Sequence, residues 1–487
     1  MALKKILFTH SYFLHFDKKQ EAIGKPYAPL ATLYAAAWMR ANGYEVSLFD
    51  TMFAKNADEL VEALNTDMPD LLVIYDDGFN YLTKMCLTNM REAALRMIEL
   101  AKQCGVAVIV SSSDATDHYD QYLRAGADFV LIGEGEMTLL ELTNALTSDK
   151  NDLHRIPGIV FHENGVNTTT AKRNVLKNLD SLPQPAWDLV DIDRYKEMWL
   201  KHAGYFSINI ATTRGCPFKC NWCAKPIYGN RYNSRSPQKV VDELKYLMEN
   251  YGFDHVWFCD DIFGLKPGWV EEFAKLVQKE NLAFTFKIQS RADLLLQPAY
   301  VSSLQKAGCE NAWMGAESGS QKILDAMDKG ITVEQIHEAT NLLKIYEIKP
   351  SLFIQFGYLG ETKEDIKLTI KMINELMPYE IGISVSYPLP GTGFYEKVKT
   401  AMQEKHNWTD SSELALMFRN TYAPSFYKQL HRYVHNNYKK HIATIKWREW
   451  FKQSGKSDIK KMLSAFYYFP ATWLDRVRLF SLQHKKA

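Results

Sequence analysis

Three cysteines, Cys216, Cys220 and Cys223, stand four and three positions apart in a short loop that also contains Gly215 and Pro217. The loop directly follows a strand-like apolar run. Three thiolates on one tight loop suit one corner each of a cubic iron-sulfur cluster, in which cysteine normally binds each iron. The fourth iron then has no nearby protein ligand, and an open coordination position is where chemistry can take place.

A structural zinc site is the alternative for these cysteines. Such a site needs four closed ligands, usually two Cys-x-x-Cys pairs or a mixed set of cysteine and histidine. The remaining cysteines stand alone in the sequence and supply no second pair: Cys86, Cys104, Cys259 and Cys309. The spacing therefore favours an iron-sulfur cluster.

The stretch Arg214–Cys223 resembles the Cys-x-x-x-Cys-x-x-Cys signature of the radical S-adenosylmethionine (SAM) superfamily, including an aromatic residue, Trp222, before the last cysteine. The resemblance implies a [4Fe-4S] cluster held by Cys216, Cys220 and Cys223. It also implies that SAM binds the fourth iron through its amino and carboxylate groups.

Length and composition set the broad class of protein. A chain of 487 residues is long enough for two or three domains. Its 46% hydrophobic and 24% charged residues are those of a globular protein, and a net charge of +1 gives no reason to expect nucleic acid as a partner. The N-terminus has no signal-peptide pattern, and seven cysteines with one tight trio predict a reducing, cytoplasmic location.

The first 145 residues alternate apolar runs with helical patterns. The predicted strands are residues 4–9, 44–50, 70–75, 106–110 and 128–132. The predicted helices cover residues 29–40, 87–104 and 118–125. Continuous β-branched runs separated by helices indicate a parallel sheet covered on both faces. We expect a doubly wound α/β domain whose ligands lie at the carboxyl ends of the strands.

This domain resembles the cobalamin-binding domain that precedes the cluster domain in class B radical methylases. The resemblance is carried by Pro29–Leu33, Gly43–Val46 with Asp50, Ala125–Val130 and above all Gly133–Glu136. Two features depart from the family: an Asp-x-His-x-x-Gly motif is absent, and residues 111–116 (Ser-Ser-Ser-Asp-Ala-Thr) replace the usual Gly-Gly-His loop. The resemblance implies cobalamin contacts at Ser111, Ser112, Asp114, Gly133, Glu134 and Gly135. A sheet that has lost the cofactor and serves only as a lid is the alternative.

Residues 146–200 are polar and irregular, and we expect a linker there. They include a short hairpin-like piece at 158–165 with an Asn-Gly turn. Pro183 and Pro185 lie in a stretch that matches the connector of this family. Prolines stiffen a linker and hold two cofactors in a fixed relation.

From residue 201 to 400 the alternation of strands and helices starts again. The predicted strands are residues 207–212, 255–259, 284–289, 311–315, 349–357 and 381–387. Six such units suit the partial (β/α)6 barrel that the resemblance implies, with its chemistry at the carboxyl ends of the strands.

Polar and glycine residues follow these strands, and the resemblance implies that they contact SAM. The residues are Asp260 and Asp261 after the second strand, Gln289 and Arg291 at the third, Glu317 and Ser318 at the fourth, and Gly357 at the fifth. Adjacent carboxylates project to opposite sides, so that one of Asp260 and Asp261 can attract the SAM amine while the other anchors its loop. Alternatively, Arg291 pairs only with Asp293 at the rim, and Glu317 is a carboxylate that stabilises the start of a helix.

Residues 401–487 are predicted to be mainly helical. Residues 425–487 contain 14 Lys/Arg and 3 Asp/Glu, so this segment carries +11 while the preceding residues carry −10. Basic helices with interleaved aromatic residues suit a peripheral contact with an anionic membrane surface. They also suit an anionic substrate or a nucleic acid, and a helical cap with a solvated basic face remains the plain alternative.

The chain is therefore identified as similar to cobalamin-dependent radical SAM enzymes, in the branch of the anaerobic oxidative cyclases, P-methylases and hopanoid methylases. The resemblance implies that a 5′-deoxyadenosyl radical activates an unactivated carbon and that methylcobalamin methylates it. A non-methylating cyclase or ring-rearranging enzyme of the same architecture is the alternative. We expect a small or lipid-like substrate and an external one-electron donor of the flavodoxin or ferredoxin type.

Overall fold

The computed structural model describes residues 3–85, 87–148, 152–452 and 463–483. Cys86, together with residues 453–462 and 484–487 of the predicted helical segment, lies outside the described residues. The chain divides into two compact units. The first consists of Met1–Phe218, Ala224–Ile288 and Asn407–Glu413, and the second of Lys219–Cys223, Gln289–His406 and Leu414–Ala487. The domain boundaries predicted at residues 145, 200 and 400 remain predictions.

The first unit contains a seven-stranded sheet. Its strands are β1 (Lys5–Thr9), β2 (Glu45–Phe49), β3 (Leu71–Tyr75), β4 (Ala107–Ser111), β5 (Phe129–Leu131), β6 (Ile159–Glu163) and β7 (Val166–Thr169). They lie in the order β2-β1-β3-β4-β5-β6-β7, and β1 to β5 are parallel. Strand β3, Leu-Leu-Val-Ile-Tyr, is buried along its whole length, as expected for a strand covered on both faces.

The helices of this part pack around the sheet. They are α1 (Lys18–Ile23), α2 (Leu30–Ala41), α3 (Leu60–Asp67), α4 (Tyr81–Lys84), α5 (Thr88–Gln103), α6 (Ser113–Arg124) and α7 (Glu136–Thr147). Apolar residues of α5, such as Met97 and Ile98, pack with Leu72 and Val108 of the sheet in one hydrophobic core. The doubly wound fold and its five parallel strands are confirmed.

The predicted hairpin is also confirmed, and it extends the sheet. Strands β6 and β7 are antiparallel, and Asn164 and Gly165 connect them with positive φ values of 51° and 82°. Strand β6 pairs antiparallel with β5. Residues 159–169 of the segment predicted to be a linker are therefore part of the sheet.

Six further strands form two parallel groups, one in each unit. Three belong to the first unit: β8 (Ser207–Ile210), β11 (His255–Phe258) and most of β12 (Thr285–Ser290), with β11 between the other two. A two-stranded ribbon, β9 (Thr213–Arg214) and β10 (Asn233–Ser234), follows β8. The helices of this part are α8 (Ile192–Ala203), α9 (Pro237–Asn250) and α10 (Trp269–Lys279).

The second unit contains β13 (Cys309–Glu317), β14 (Lys349–Phe356) and β15 (Glu380–Val385), again parallel and in sequence order. All six predicted strands are thus present, and β13 is longer than predicted because it continues through an irregular register between Gly315 and Glu317. The helices are α11 (Pro298–Lys306), α12 (Gln321–Ala326), α13 (Val333–Ile345), α14 (Lys363–Leu376), α15 (Gly393–Val398), α16 (Pro424–Lys452) and α17 (Ala465–Leu482).

Among the helices of the described residues, none combines the length and the apolar character that a membrane span requires.

Candidate functional site

The segment that leads into the cysteine loop is held close to the β9–β10 ribbon in the first unit. Gly215 has φ of 80°, and a Cβ atom placed there would lie 2.5 Å from the carbonyl oxygen of Arg231. A side chain at this position would therefore both strain the backbone and collide with the neighbouring chain. Glycine is required immediately before Cys216.

Arg214, the residue before that glycine, is buried and forms ion pairs with two glutamates. Its Nη1 lies 2.5 Å from Oε1 of Glu134, and its Nη2 lies 2.6 Å from Oε1 of Glu136. The guanidinium also lies 5.4 Å from the ring centroids of both Tyr34 and Tyr228. We call Arg214, Glu134 and Glu136 the Arg214 cluster. Through it, the Gly133–Glu136 motif of the first sheet positions the start of the cysteine loop.

The Arg214 cluster holds two carboxylates and one cation away from water. Burial raises the pKa of Glu134, and the neighbouring Glu136 raises it further, although Arg214 opposes both effects. Burial alone would lower the pKa of Arg214, but the two carboxylates hold it well above its usual range. Charges buried in this way depend on one another, because losing one partner leaves the others without compensation.

In the second unit, Asn221 holds the part of the loop that carries Cys220 and Cys223. Its side-chain amide donates to the carbonyl of Ala326 at 2.8 Å and to Oδ2 of Asp328 at 2.7 Å. Its side-chain oxygen accepts from the hydroxyl of Tyr358 at 2.8 Å. The backbone of Asn221 is bonded as well, since its N–H donates to Met327 and its carbonyl accepts from Phe394. Asn221 therefore fixes the position of the residues on either side of it.

The three cysteine side chains are half-buried. Among the described residues, no three His, Cys, Asp or Glu side chains are grouped so that they could hold a single metal ion. A zinc site would require four ligands around one ion, whereas the three cysteines of a cubic cluster bind three different irons. The arrangement gives no support to the zinc alternative.

A buried group of charged and aromatic residues lies at the end of β13 in the second unit. Glu317, in the left-handed region with φ of 57°, accepts from Nζ of Lys329 at 2.8 Å. The same amine lies 5.9 Å from the ring centroid of Trp222. A Cβ atom at Gly315 would lie 2.6 Å from the lysine nitrogen, so a side chain there would have to displace this amine. Burial would lower the pKa of Lys329, but Glu317 and Cys220 raise it above its usual value.

Trp222 has the clearest signature of a ligand contact in this group. Its indole nitrogen is buried and has no hydrogen-bond partner among the described residues. Leaving a buried donor unsatisfied costs about 1–3 kcal/mol, so the indole N–H fits a polar atom supplied by a bound molecule.

The other residues predicted at this end of the sheet form contacts within the protein. Arg291 pairs with Asp293 at 3.0 Å, as the alternative interpretation had it, and also donates to the carbonyl of Lys329 at 3.1 Å. The hydroxyl of Ser318 lies 3.1 Å from that of Thr369, whereas Gln289 is half-buried. Arg291 and Ser318 thus shape the backbone around Lys329 and Glu317.

Gly357 ends the fifth strand with φ of 79° and donates its N–H to Oε2 of Glu361 at 2.7 Å. The other carboxyl oxygen of Glu361 is buried and has no hydrogen-bond partner among the described residues. Burial, with a contribution from Asp365, raises the pKa of Glu361 to about 8. Below that pH, Glu361 is a neutral acid that holds the turn after β14.

Asp260 and Asp261, the predicted pair of carboxylates after β11, have different partners. Asp260 accepts from the amides of Thr212 and Thr213 at 2.7 and 2.8 Å, and from the hydroxyl of Thr212 at 2.5 Å. Burial raises the pKa of Asp260 to about 6 despite these bonds. Asp261 forms an ion pair with Lys84 at 2.7 Å. Asp260 anchors the chain after β8, and Asp261 is the more accessible of the two.

At the carboxyl edge of the first sheet, two of the predicted cobalamin contacts form internal hydrogen bonds. The hydroxyl of Ser112 accepts from the Ala115 amide at 2.8 Å and caps α6. Asp114 accepts from Arg91 at 2.6 Å and from the Tyr122 hydroxyl at 2.7 Å. Both residues therefore fix the start of α6.

The remaining predicted contacts at this edge are small and closely packed. A Cβ atom at Gly135 would lie 2.8 Å from the ring of Tyr75 and 2.9 Å from the hydroxyl of Ser111, so only glycine fits there. Gly133 has φ of 81° and faces the carbonyl of Ile227. The side chains at this edge are therefore small, and packing within the protein by itself accounts for both glycines.

A narrow cavity of about 20 Å³, roughly the room for one water molecule, lies in the first unit. It is lined by Gly78, Lys84 and Ser113 from the first sheet's edge, and by Gly215, Asp261 and residues 224–228. The cavity joins the loops after β3 and β4 to the segment that carries Cys216. It is far smaller than a cobalamin.

Sequence reasoning assigned no role to four residues that organise this site: Arg214, Glu136, Asn221 and Lys329. Two signals were visible in the sequence. Arg214 directly precedes the glycine of the cysteine loop, and Glu136 stands two positions after Glu134. Neither signal identifies the partner, because Arg214 and Glu134 are 80 positions apart.

Comparison with known proteins agrees with the two-sheet organisation. Residues 210–373 match the family model of the Radical SAM superfamily, and residues 21–143 match that of the B12 binding domain.

Curated relatives resemble this chain over much of their length. An uncharacterized methyltransferase of Pyrococcus horikoshii is 27% identical over 77% of this chain and 80% of its own. The anaerobic magnesium-protoporphyrin IX monomethyl ester cyclase of Rubrivivax gelatinosus is 25% identical over 83% of this chain and 72% of its own. The hopanoid C-3 methylase of Methylococcus capsulatus is 25% identical over 88% and 79%, respectively.

Solved structures share the fold. The cobalamin-dependent SAM radical enzyme OxsB with aqua-cobalamin bound has a TM-score of 0.76 and 16% identity, over 97% of this chain and 72% of its own. The radical SAM methyltransferase TsrM from Kitasatospora setae has a TM-score of 0.68 and 18% identity, over 82% and 75%, respectively.

The fold and the domain matches define a radical SAM enzyme. It combines a radical SAM domain with a B12-binding domain, and it is similar to methyltransferases that carry these domains. Its cofactors are a [4Fe-4S] cluster, SAM and cobalamin, as predicted.

The residues present fit these cofactors. The cluster loop offers three thiols, and the buried indole N–H of Trp222 has no hydrogen-bond partner in the described part of the chain. The edge of the first sheet offers a small cavity and two glycines that add no side-chain bulk. The individual SAM and cobalamin contacts predicted from the sequence remain proposals.

We predict that Arg214→Met destabilises the protein by about 3–5 kcal/mol, because it leaves Glu134 and Glu136 buried without a cation. Chemical denaturation of the anaerobically purified protein measures this loss. Replacing both glutamates by glutamine in the same variant should recover much of it. Arg40→Met, which breaks an exposed pair with Asp188, is the control and should cost at most about 1 kcal/mol. Equal losses in the two single variants would contradict the role of the Arg214 cluster.

We predict that Asn221→Ala weakens cluster retention, because the side-chain hydrogen bonds that position Cys220 and Cys223 are lost. Residues that orient metal ligands typically affect metal affinity about 10–100-fold, so the variant should lose iron to a chelator at least about tenfold faster. Tyr358→Phe, which removes one of the bonds, should show a smaller effect. Asn230→Ala replaces an asparagine nearby in the sequence, whose side chain accepts from Lys225, and serves as the control. Iron retention equal to that of Asn230→Ala would refute the assignment.

We predict that Glu361 makes the protein less stable as the pH rises from about 6 to about 8. The unfolded chain releases this proton near pH ~4.3, but the folded protein holds it until about pH 8, so ionisation favours unfolding across that interval. Glu361→Gln should remove a slope of up to about 1.4 kcal/mol per pH unit. Denaturation at about pH 6, 7 and 8 measures it. Asp77 and Asp260, whose pKa values burial raises to about 6, titrate in the lower part of this interval in all variants alike, so the difference between the variants isolates Glu361. The exposed Glu364→Gln is the control, and the same slope in both variants would exclude Glu361.

Proposed function

We propose that the protein transfers a methyl group to an unactivated carbon of a small or lipid-like substrate. The matches to the Radical SAM and B12-binding models support the class of enzyme, and the Arg214 cluster is the observation that supports this particular reaction. It joins Glu134 and Glu136 of the B12-binding domain to Arg214, two positions before Cys216. Methyl transfer needs the cobalamin domain and the cluster loop to be held in a fixed relative position, whereas chemistry at the cluster alone has no such requirement.

When bound, the reduced cluster and SAM supply a 5′-deoxyadenosyl radical that removes hydrogen from the substrate, and cobalamin supplies the methyl group. The protein's contribution is to hold and orient these groups and to exclude water. We assign the cluster to Cys216, Cys220 and Cys223.

We assign the contacts to SAM to the second unit's group at the end of β13 and β14. Trp222 offers an unsatisfied donor, and Lys329 holds the carboxylate of Glu317 in place. Gly357 keeps the turn after β14 open for close backbone approach. Gln289, Arg291 and Ser318 support this surface. We also assign SAM contacts to Asp260 and Asp261, which follow β11 in the first unit.

We assign the contacts to cobalamin to the edge of the first sheet. Ser111, Gly133 and Gly135 add little side-chain volume at this edge. Ser112 and Asp114 position the start of α6, and Glu134 positions Arg214. The serines at positions 111 and 112 are small enough for a corrin or its nucleotide tail to approach.

The balance of the reaction indicates the partners. Each methylation converts one SAM to methionine and 5′-deoxyadenosine, which carries the substrate's hydrogen, and a second SAM to S-adenosylhomocysteine. Two electrons must enter from outside in each cycle, so a one-electron donor of the flavodoxin or ferredoxin type is the natural partner. A lipid-like substrate and a basic C-terminal segment together favour a reaction that takes place at a membrane surface.

Oxidative cyclisation is the second candidate, because the Rubrivivax cyclase matches 83% of this chain. The products separate the two functions. Cyclisation forms 5′-deoxyadenosine without S-adenosylhomocysteine, whereas methylation forms the two in equal amounts.

We predict that the reconstituted protein, supplied with hydroxocobalamin, titanium(III) citrate and methyl-labelled SAM, forms both products and transfers label to cobalamin. Cys220→Ala should lose 5′-deoxyadenosine formation while retaining cobalamin, because it removes a cluster ligand only. Mass spectrometry and the absorption spectrum measure these outcomes. Cys104→Ala, at an exposed cysteine far from the loop in sequence, is the control. Formation of 5′-deoxyadenosine without S-adenosylhomocysteine would contradict the methylase function and favour the cyclase function.

A further inference from the structure

The last two helices of the described chain pack antiparallel in the second unit. Lys439 and Lys440 of α16 lie against the rings of Tyr468 and Phe469 of α17, at 5.6 and 5.9 Å from the respective ring centroids. Further along, Arg432 of α16 pairs with Asp475 of α17 at 3.2 Å. Residue numbers fall along one helix as they rise along the other, which defines the antiparallel arrangement.

The buried side of α17 carries polar groups, Thr472 and Asp475, beside the apolar Ala465 and Leu479. Asp475 is fully buried and accepts hydrogen bonds from Gln429 at 2.9 Å and Asn436 at 2.6 Å. Thr472 is buried on the same side. A surface helix normally places apolar residues toward the core and polar residues toward water, but α17 uses a buried polar network to pack against α16.

The opposite side of α17 is apolar and exposed in the part of the chain that the structure describes. We define the α17 outer face as Phe466, Phe469, Trp473, Val477 and Phe480, which follow one another at intervals of three or four residues and so share one side of the helix. Their exposed fractions range from 51% for Val477 to 72% for Phe466. Scattered single apolar residues are normal on a protein surface, whereas a contiguous exposed stripe marks an interaction site.

Cations border this face. The amine of Lys440 approaches Phe469, and that of Lys363 lies 5.8 Å from the ring centroid of Phe480. Arg476 and Arg478 are exposed on α17 itself, whose single acidic residue is the buried Asp475. Burial and the positive charge of Arg476 lower the pKa of Lys440, so this ammonium lies in a field of like charge.

We propose that the α17 outer face docks on an anionic lipid bilayer, with its aromatic side chains at the interface and the bordering lysines and arginines at the lipid headgroups. Aromatic rings beside long basic side chains are the composition of an interfacial helix, which lies in the plane of the membrane. Anionic headgroups supply the negative charge that complements this cationic border. This inference deepens the membrane-surface location of the proposed function but does not depend on methyl transfer.

A second copy of the chain is a weaker candidate for the same face. A twofold dimer would bring equivalent surfaces together and place each set of cations next to its own copy, and like charges across an interface are unfavourable. A nucleic acid would use the cations but would leave the continuous apolar stripe without a partner.

The test is co-sedimentation of the full-length holoprotein with vesicles. We expect it to bind vesicles of phosphatidylcholine with about one third phosphatidylserine at least about tenfold more tightly than vesicles of phosphatidylcholine alone. Binding should weaken in high salt, because the headgroup attraction is screened. Phe466→Ser/Trp473→Ser should reduce binding severalfold, and so should Lys439→Glu/Lys440→Glu.

Ile345→Ser is the matched control, because Ile345 is equally exposed but lies on α13. Circular dichroism and iron content verify that each variant is folded. Equal sedimentation of the wild type and the Phe466→Ser/Trp473→Ser variant would overturn the proposal. A concentration-dependent dimer that this variant abolishes, or binding of single-stranded DNA without vesicle binding, would overturn it in favour of those partners. Because sedimentation is scored without turnover, its failure is distinct from a failure to form S-adenosylhomocysteine.

Discussion

The site depends first on the buried ion pairs of Arg214 with Glu134 and Glu136. These charges cannot be separated without leaving a carboxylate or a guanidinium unpaired away from water, and that penalty is what fixes their geometry. Arg214 is connected through Gly215 to Cys216, and the two glutamates lie between β5 and the first turn of α7. One electrostatic group thus determines where the cysteine loop starts relative to the edge of the first sheet.

The rest of the loop is positioned by neutral hydrogen bonds. Asn221 bonds to three separate parts of the second unit, through Ala326 with Asp328, Tyr358 and Phe394. Each bond is worth about 1 kcal/mol, so the loop is defined by the number and direction of its bonds more than by their strength. Glu317 is oriented in a similar way, by Lys329 and by the space that Gly315 leaves.

The fold could be predicted because it rests on long periodic patterns. The buried run of β3 and the alternation of strands and helices after residue 207 are local features of the sequence, and the structure contains all of the predicted strands. The cysteine trio was equally visible because its spacing is short. The hairpin β6–β7 was recognised from Asn164 and Gly165, but its pairing with β5 was not.

What could not be predicted is which distant groups meet. The sequence did not show which of Asp260 and Asp261 would anchor its loop, which is the role that Asp260 takes, and Lys329 gave no sign that it would pair with Glu317. Such pairings depend on tertiary packing, which a single sequence does not display.

The buried carboxylate of Asp475 has a consequence for how this C-terminal region can change over evolutionary time. Its partners Gln429, Arg432 and Asn436 all come from α16, so α17 is joined to the protein in large part through one polar contact surface. If α17 were lost, those partners would meet water, which satisfies them at little cost, whereas the removal of a core helix would expose apolar surface. The loss or exchange of α17 would therefore cost more through the apolar contacts of Ala465 and Leu479 than through these polar ones.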